Sequence, residues 1–108
     1  MPRSSERAAE LALDALGSPT RRHIIRVLRD GPRAVGAIAA KLPVSRPAVS
    51  KHLQVLEEAG LVTTTRRGTR TLVCLHRPGF ASARGWLESF WDEALDAFVR
   101  VAEEEGEP

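Results

Sequence analysis

The chain has 108 residues, 43% of them hydrophobic and 28% charged, an ordinary composition for one soluble globular domain and too short for two. It has no apolar run of about 18 residues and no charged-then-apolar leader, so the expectation is a cytoplasmic protein with no membrane contact. Its one cysteine, Cys74, has no partner for an internal disulfide, which fits a reducing compartment.

The formal net charge of +2 conceals a division along the chain. Residues 1–16 hold two Arg against three acids, a net −1. Residues 17–85 hold thirteen basic residues against Asp30, Glu57 and Glu58, a net +10. Residues 86–108 hold Arg100 against eight acids, a net −7. A basic middle between acidic ends points to a polyanion as partner of the middle and to another role for the ends, such as meeting each other. The plainer alternative is a solvated basic face with no partner.

In chain order, Glu6 to Leu16 has Ala and Leu at helical spacing and predicts a first helix stopped by Gly17. Ser18-Pro19 supplies an N-cap followed by Pro at the first helical position, opening a second helix to about Asp30. Ile24, Ile25 and Leu28 form its apolar stripe, and Gly31-Pro32 ends it. Ala34 to Leu42 reads as a short Ala-rich helix ended by Pro43. Ser45 then caps a helix running to Ala59, with Pro47 tolerated in the first turn and Gly60 as its stop. Two short helices about three residues apart make a helix-turn-helix candidate.

Leu61 to His76 is rich in Thr and Val and predicts two strands, about 61–66 and 69–76, with the turn at Arg67-Gly68. Pro78-Gly79 reads as a break, and the remainder as a helix to about Glu104, with a solvated acidic tail over 103–107. Trp86, Leu87, Phe90, Trp91, Ala94, Leu95, Phe98, Val101 and Ala102 fall at three- and four-residue steps, a stripe too wide for one small core to cover. The expected fold is mainly α with a β-hairpin wing, a winged helix-turn-helix in the order α-α-α-α-β-β-α. The excess apolar surface predicts a homodimer through the first and last helices, with Leu11, Trp86, Phe90, Trp91, Leu95 and Phe98 at the interface.

The helix from Ser45 to Ala59 carries the functional reading. Val49, His52, Leu53 and Leu56 recur at i, i+3, i+4 and i+7 and face the core, leaving Arg46, Pro47, Ser50, Lys51 and Gln54 outside. Arg and Lys donate to guanine O6 and N7, Gln pairs with adenine at two points, Ser addresses phosphate or base, and Pro47 meets a thymine methyl. Such a helix fits the major groove of double-stranded DNA with its first two turns toward base edges. Arg66, Arg67 and Arg70 surround a hairpin tip that would reach phosphates or the minor groove.

The segment Leu42-Pro43-Val44-Ser45-Arg46-Pro47-Ala48-Val49-Ser50-Lys51-His52-Leu53-Gln54-Val55-Leu56-Glu57-Glu58-Ala59-Gly60-Leu61-Val62 resembles the signature of the ArsR family of winged helix-turn-helix repressors. Ala15-Leu16-Gly17 through Arg21-Arg22 to Ile25 and Leu28 resembles the family's entry helix, and the likeness covers roughly residues 10 to 100. It implies a homodimer that represses transcription from an imperfectly palindromic operator. Many members release DNA on binding metal, through a Cys pair in the helix before the turn or Asp, His and Glu ligands in the last helix. Here Ala34 to Leu42 has neither Cys nor His, and the last helix has Asp92, Glu93 and Asp96 but no His or Cys. The chain is thus similar to members without a recognised metal site, some of which are autorepressors, and no metal or cofactor is expected.

Cys74 and His76 stand two apart on a strand and could be two soft ligands of a metal- or thiol-responsive sensor. A closed site needs four ligands, and no spacing supplies the others, so a buried thiol and a rim histidine are expected. His52 is expected to bond a backbone group beneath its helix. An enzyme is disfavoured, since no phosphate loop, metal pair or nucleophile motif is present. The other rival is an interaction module that uses the aromatic last helix to bind another protein.

Overall fold

Ser18 and Pro19 set the first corner of the chain. In the computed structural model, which describes residues 2–106, helix α1 (Pro2–Ala15) gives way there to α2 (Pro19–Leu28). The Ser18 hydroxyl accepts a hydrogen bond from the Arg21 amide at 3.3 Å. That satisfies one unpaired amide of the first turn, and Pro19 sits where its missing N–H has no intrahelical partner. The same device opens α4 (Arg46–Glu58), where the Ser45 hydroxyl accepts from the Ala48 amide at 3.2 Å and Pro47 lies in the first turn. This helix closes on Gly60 at φ 77°. The Leu61 amide donates to the Leu56 carbonyl and the Gly60 amide to the Glu57 carbonyl, both at 3.0 Å, a pairing that needs the left-handed backbone at residue 60.

Between α2 and α4 the structure departs from the expected single helix over 34–42. Arg33–Ala34 form a two-residue strand, β1, and only Val35–Ala39 form helix α3. The reason is long-range: Arg33 pairs with Val73 and Ala34 with Leu72, contacts that no local pattern encodes. The wing is accordingly a three-stranded antiparallel sheet in the order β1-β3-β2, with β2 (Val62–Arg67) and β3 (Arg70–Leu75) as its hairpin. The hairpin turn lies one residue later than the sequence predicts. Arg67 pairs with Arg70, leaving Gly68 and Thr69 as the loop, and Gly68 at φ 63° occupies the first central position, as a type II′ turn requires.

Helix α5 (Arg77–Glu105) has 29 residues and runs through Pro78-Gly79, which the sequence reading treats as a break. Pro78 is in the first turn, where a helix tolerates it. Gly79 answers a packing demand instead: a Cβ there would lie 2.0 Å from the Gly60 carbonyl oxygen. Glu103 to Glu105 belong to the helix rather than to a frayed tail, and Glu107 lies outside the described residues.

The core gathers Ala12 and Ala15 of α1, Ile24 and Leu28 of α2, Ile38 of α3, Val49, Leu53 and Leu56 of α4, and Leu61, Val62 and Val73 around the sheet. From α5 only Ala83 is buried among the described residues, with Phe80 packed beside it. The long helix lies along α1 and extends the molecule to 70 Å on its long axis.

Candidate nucleic-acid interface

Helix α4 separates its two faces cleanly. Val49, Leu53 and Leu56 are buried, while Arg46, Pro47, Ser50, Lys51 and Gln54 are all exposed on the other side. The 3.6-residue period places these five within one sector of the helix, over its first three turns. Arg46 does not simply project outward. Its guanidinium rests over the first turn of α3, where a Cβ on Gly36 would be 3.7 Å from Nη1.

The three wing arginines share one tip but not one face. Arg67 and Arg70 stand directly opposite each other across the hairpin, and Arg66 opposes Thr71 on the other face. Arg66 shares its face with Thr64, whose hydroxyl donates to Glu57 Oε2 of α4 at 3.1 Å, so it lies on the side of α4. Like charges directly opposed across strands repel, and an anion between them relieves that repulsion. Arg66, Arg67 and Arg70 are exposed, which leaves the tip open to a phosphate.

Not all of the basic middle belongs to this surface, which corrects the reading of its charge as one block. Arg21 Nε donates to the Ala15 carbonyl at 2.6 Å, Arg22 Nη1 to the Leu16 carbonyl at 2.8 Å, and Arg33 Nε to the Val27 carbonyl at 3.1 Å. These guanidiniums cap carbonyls that the ends of α1 and α2 leave unpaired, where the helix dipole also favours positive charge. Each donor stands six residues beyond its acceptor. Basic residues closely following a helix stop are the sequence signal that reveals this role. His52 likewise differs from expectation: its Nδ1 lies 3.4 Å from Arg21 Nη1, so its partner is a guanidinium rather than a backbone group.

Most of the large apolar residues of α5, and Leu11 of α1, lie on the surface of the chain. Trp91 is 60% exposed, Phe98 70% and Phe90 55%, with Leu11 and Leu95 also exposed. Trp86 is half-buried and stacks on Phe90 with ring centroids 5.4 Å apart. An open apolar groove between the two helices is lined by Leu13, Leu16, Phe80, Leu87 and Trp91.

Cys74 is half-buried with its Sγ 3.2 Å from Thr63 Oγ1. His76 falls beyond the end of β3, just before α5, and its amide donates to the Leu61 carbonyl at 2.8 Å. Among the described residues no three His, Cys, Asp or Glu side chains converge, and no helix is long and apolar enough to cross a membrane.

A recognition helix polar on its outer face, a short helix before it and a basic-tipped wing define a winged helix-turn-helix transcriptional regulator. Residues 16–65 match the family model of the helix-turn-helix domain. The chain is 44% identical over 104 residues to the HTH-type transcriptional regulator Rv2034 of Mycobacterium tuberculosis, covering 96% of this chain and 97% of that protein. It is 30% identical over 76 residues to the transcriptional repressor SdpR of Bacillus subtilis, covering 70% and 84%. An ArsR-like transcriptional regulator from Rhodococcus sp. RHA1 superposes with a TM-score of 0.75 at 27% identity, over 92% of this chain and 96% of that one. A homodimeric winged helix-turn-helix DNA-binding domain from Mycobacterium bovis superposes with a TM-score of 0.67 at 30% identity, over 89% of each chain. The chain belongs to the ArsR family of transcriptional regulators.

Proposed function

We propose that residues 1–108 act as one winged helix-turn-helix domain, a homodimeric repressor that binds a palindromic operator in double-stranded DNA and includes its own promoter among its targets. Arg46, Pro47, Ser50, Lys51 and Gln54 read bases in the major groove, and Arg66, Arg67 and Arg70 hold the backbone beside it. Helices over about 6–16 and 80–104 form the dimer contact, with Leu11, Trp86, Phe90, Trp91, Leu95 and Phe98 facing the symmetry mate. The protein works in the cytoplasm, catalyses no reaction and needs no metal or cofactor.

The observation that carries this reading is the division of α4 into a buried Val49, Leu53 and Leu56 edge and an exposed Arg, Ser, Lys and Gln face. A helix held only by its inner edge leaves its outer edge free to enter a groove about 12 Å wide. The homodimeric relative from Mycobacterium bovis supports the assembly. A gel-shift assay with the promoter of its own gene tests the reading. A discrete complex that competitor DNA of random sequence fails to displace is expected, and binding no tighter than to random DNA refutes it. Two recognition helices related by a twofold axis also require half-sites about 34 to 36 Å apart, so inserting half a helical turn between them abolishes tight binding.

A further inference from the structure

Arg21 joins three elements. Its Nε donates to the Ala15 carbonyl at the end of α1 at 2.6 Å, and its Nη1 lies 3.4 Å from Nδ1 of His52 on α4. Both side chains are half-buried. A guanidinium has donors only, so the ring nitrogen facing it must be an acceptor, and His52 is held with its Nδ1 lone pair toward Arg21. The planar fork spans both acceptors with little freedom, unlike a lysine ammonium on its flexible stem.

His52 lies between Lys51 and Gln54 along the chain but on the half-buried edge of α4, behind the exposed reading face. We propose that the Arg21–His52 link fixes the pitch of α4 against α1, making Arg21 a positioning residue for base reading rather than a contact to phosphate. This rests on the DNA-binding reading above. Base-edge hydrogen bonds tolerate only small displacements, whereas phosphate contacts accept many registers. Loosening α4 therefore weakens sequence-specific binding and leaves non-specific binding intact. Because α1 also lies along α5, the link ties the recognition helix to the helix pair that carries the exposed aromatic surface.

The test uses the full chain and two duplexes, one selected by the wild-type protein from a random library and one of scrambled sequence. Arg21→Ala and His52→Leu are expected to weaken the selected duplex about tenfold at equal folded fraction, with the scrambled duplex changed less than about twofold. His52→Asn, which restores an acceptor near the position of Nδ1, is expected to recover most of the loss. The double variant Arg21→Ala/His52→Leu is expected to be no weaker than the worse single one, since both break the same link. Arg21→Ala should leave the slope of log affinity against log salt unchanged, because no phosphate contact is removed. A reduced salt slope, equal losses on both duplexes, or a His52→Asn variant as weak as His52→Leu overturns the proposal while leaving DNA binding intact. Failure of the wild-type protein to select any duplex overturns the DNA-binding reading and this inference with it.

Discussion

Gly79 of α5 lies directly against Gly60 of the α4–β2 corner, so close that a Cβ on Gly79 would fall 2.0 Å from the Gly60 carbonyl oxygen and 3.2 Å from the Leu61 nitrogen. The contact seats the first turn of the long helix on the exit of the recognition helix. Both neighbours are backbone, so neither yields by a side-chain rotation.

Gly79→Ala is therefore expected to destabilise the protein by about 1 to 3 kcal/mol, the usual cost of overpacking, although Ala is intrinsically the better helix former by about 1 kcal/mol. Gly85, in the same helix with nothing within 4 Å of its virtual Cβ, is the control. Gly85→Ala should stabilise by about 0.5 to 1 kcal/mol. Urea midpoints at one fixed protein concentration should move in opposite directions, and movement in the same direction refutes the packing argument.

Trp91 separates folding from assembly. With 60% of its surface exposed in the single chain, Trp91→Ala removes little core packing. If the ring faces a symmetry mate, the loss appears in dimerisation, with a dissociation constant raised about thirtyfold or more, as for an aromatic anchor worth about 2 kcal/mol. Sedimentation over a concentration series measures this. A wild-type chain that stays monomeric at micromolar concentration rules out the assembly.

Reader and clamp should fail in different ways on DNA. Gln54→Ala is expected to lose about 1 to 3 kcal/mol on the operator and much less on random DNA. Arg67→Ala should weaken both duplexes alike and lower the salt slope by about 1. Arg66 lies on the other face of the hairpin from Arg67 and Arg70, so Arg66→Ala should not reproduce the Arg67→Ala effect in full. Salt titrations of each variant on both duplexes decide this, and identical losses for Gln54→Ala and Arg67→Ala would sink the division of labour.

Zinc is expected to leave thermal stability and operator affinity nearly unchanged, with Cys74→Ser behaving as wild type toward the metal. Linkage makes the alternative easy to see: a site half-saturated at one-hundredth of the added zinc would stabilise the fold by about 2.7 kcal/mol. A shift of that size, lost in Cys74→Ser, would establish a metal site at Cys74.

Helix boundaries with local causes were legible in the residues themselves. Ser18 and Ser45 cap through their own hydroxyls, and Gly60 closes α4 because a left-handed residue is needed there. The outward set on α4 was legible for the same reason, since a 3.6-residue period fixes which side chains share a face once the buried edge is known. The three-stranded wing was not, because Arg33 and Ala34 become a strand only by pairing with Val73 and Leu72. Nor were the roles of Arg21, Arg22 and Arg33 evident from charge alone, since a guanidinium is drawn equally to a phosphate and to an unpaired carbonyl.

From its sequence alone this protein was determined to be a winged helix-turn-helix chain with a polar recognition face, because capping, periodicity and turn chemistry act over a few residues and are written where they act. Only the tertiary structure decided which cations are spent on helix ends, which face of the wing each arginine takes, and why Gly79 sits inside a helix rather than ending it. Those outcomes depend on which backbone atoms meet across tens of residues. Such meetings follow from the packing of all the elements together and from no segment by itself.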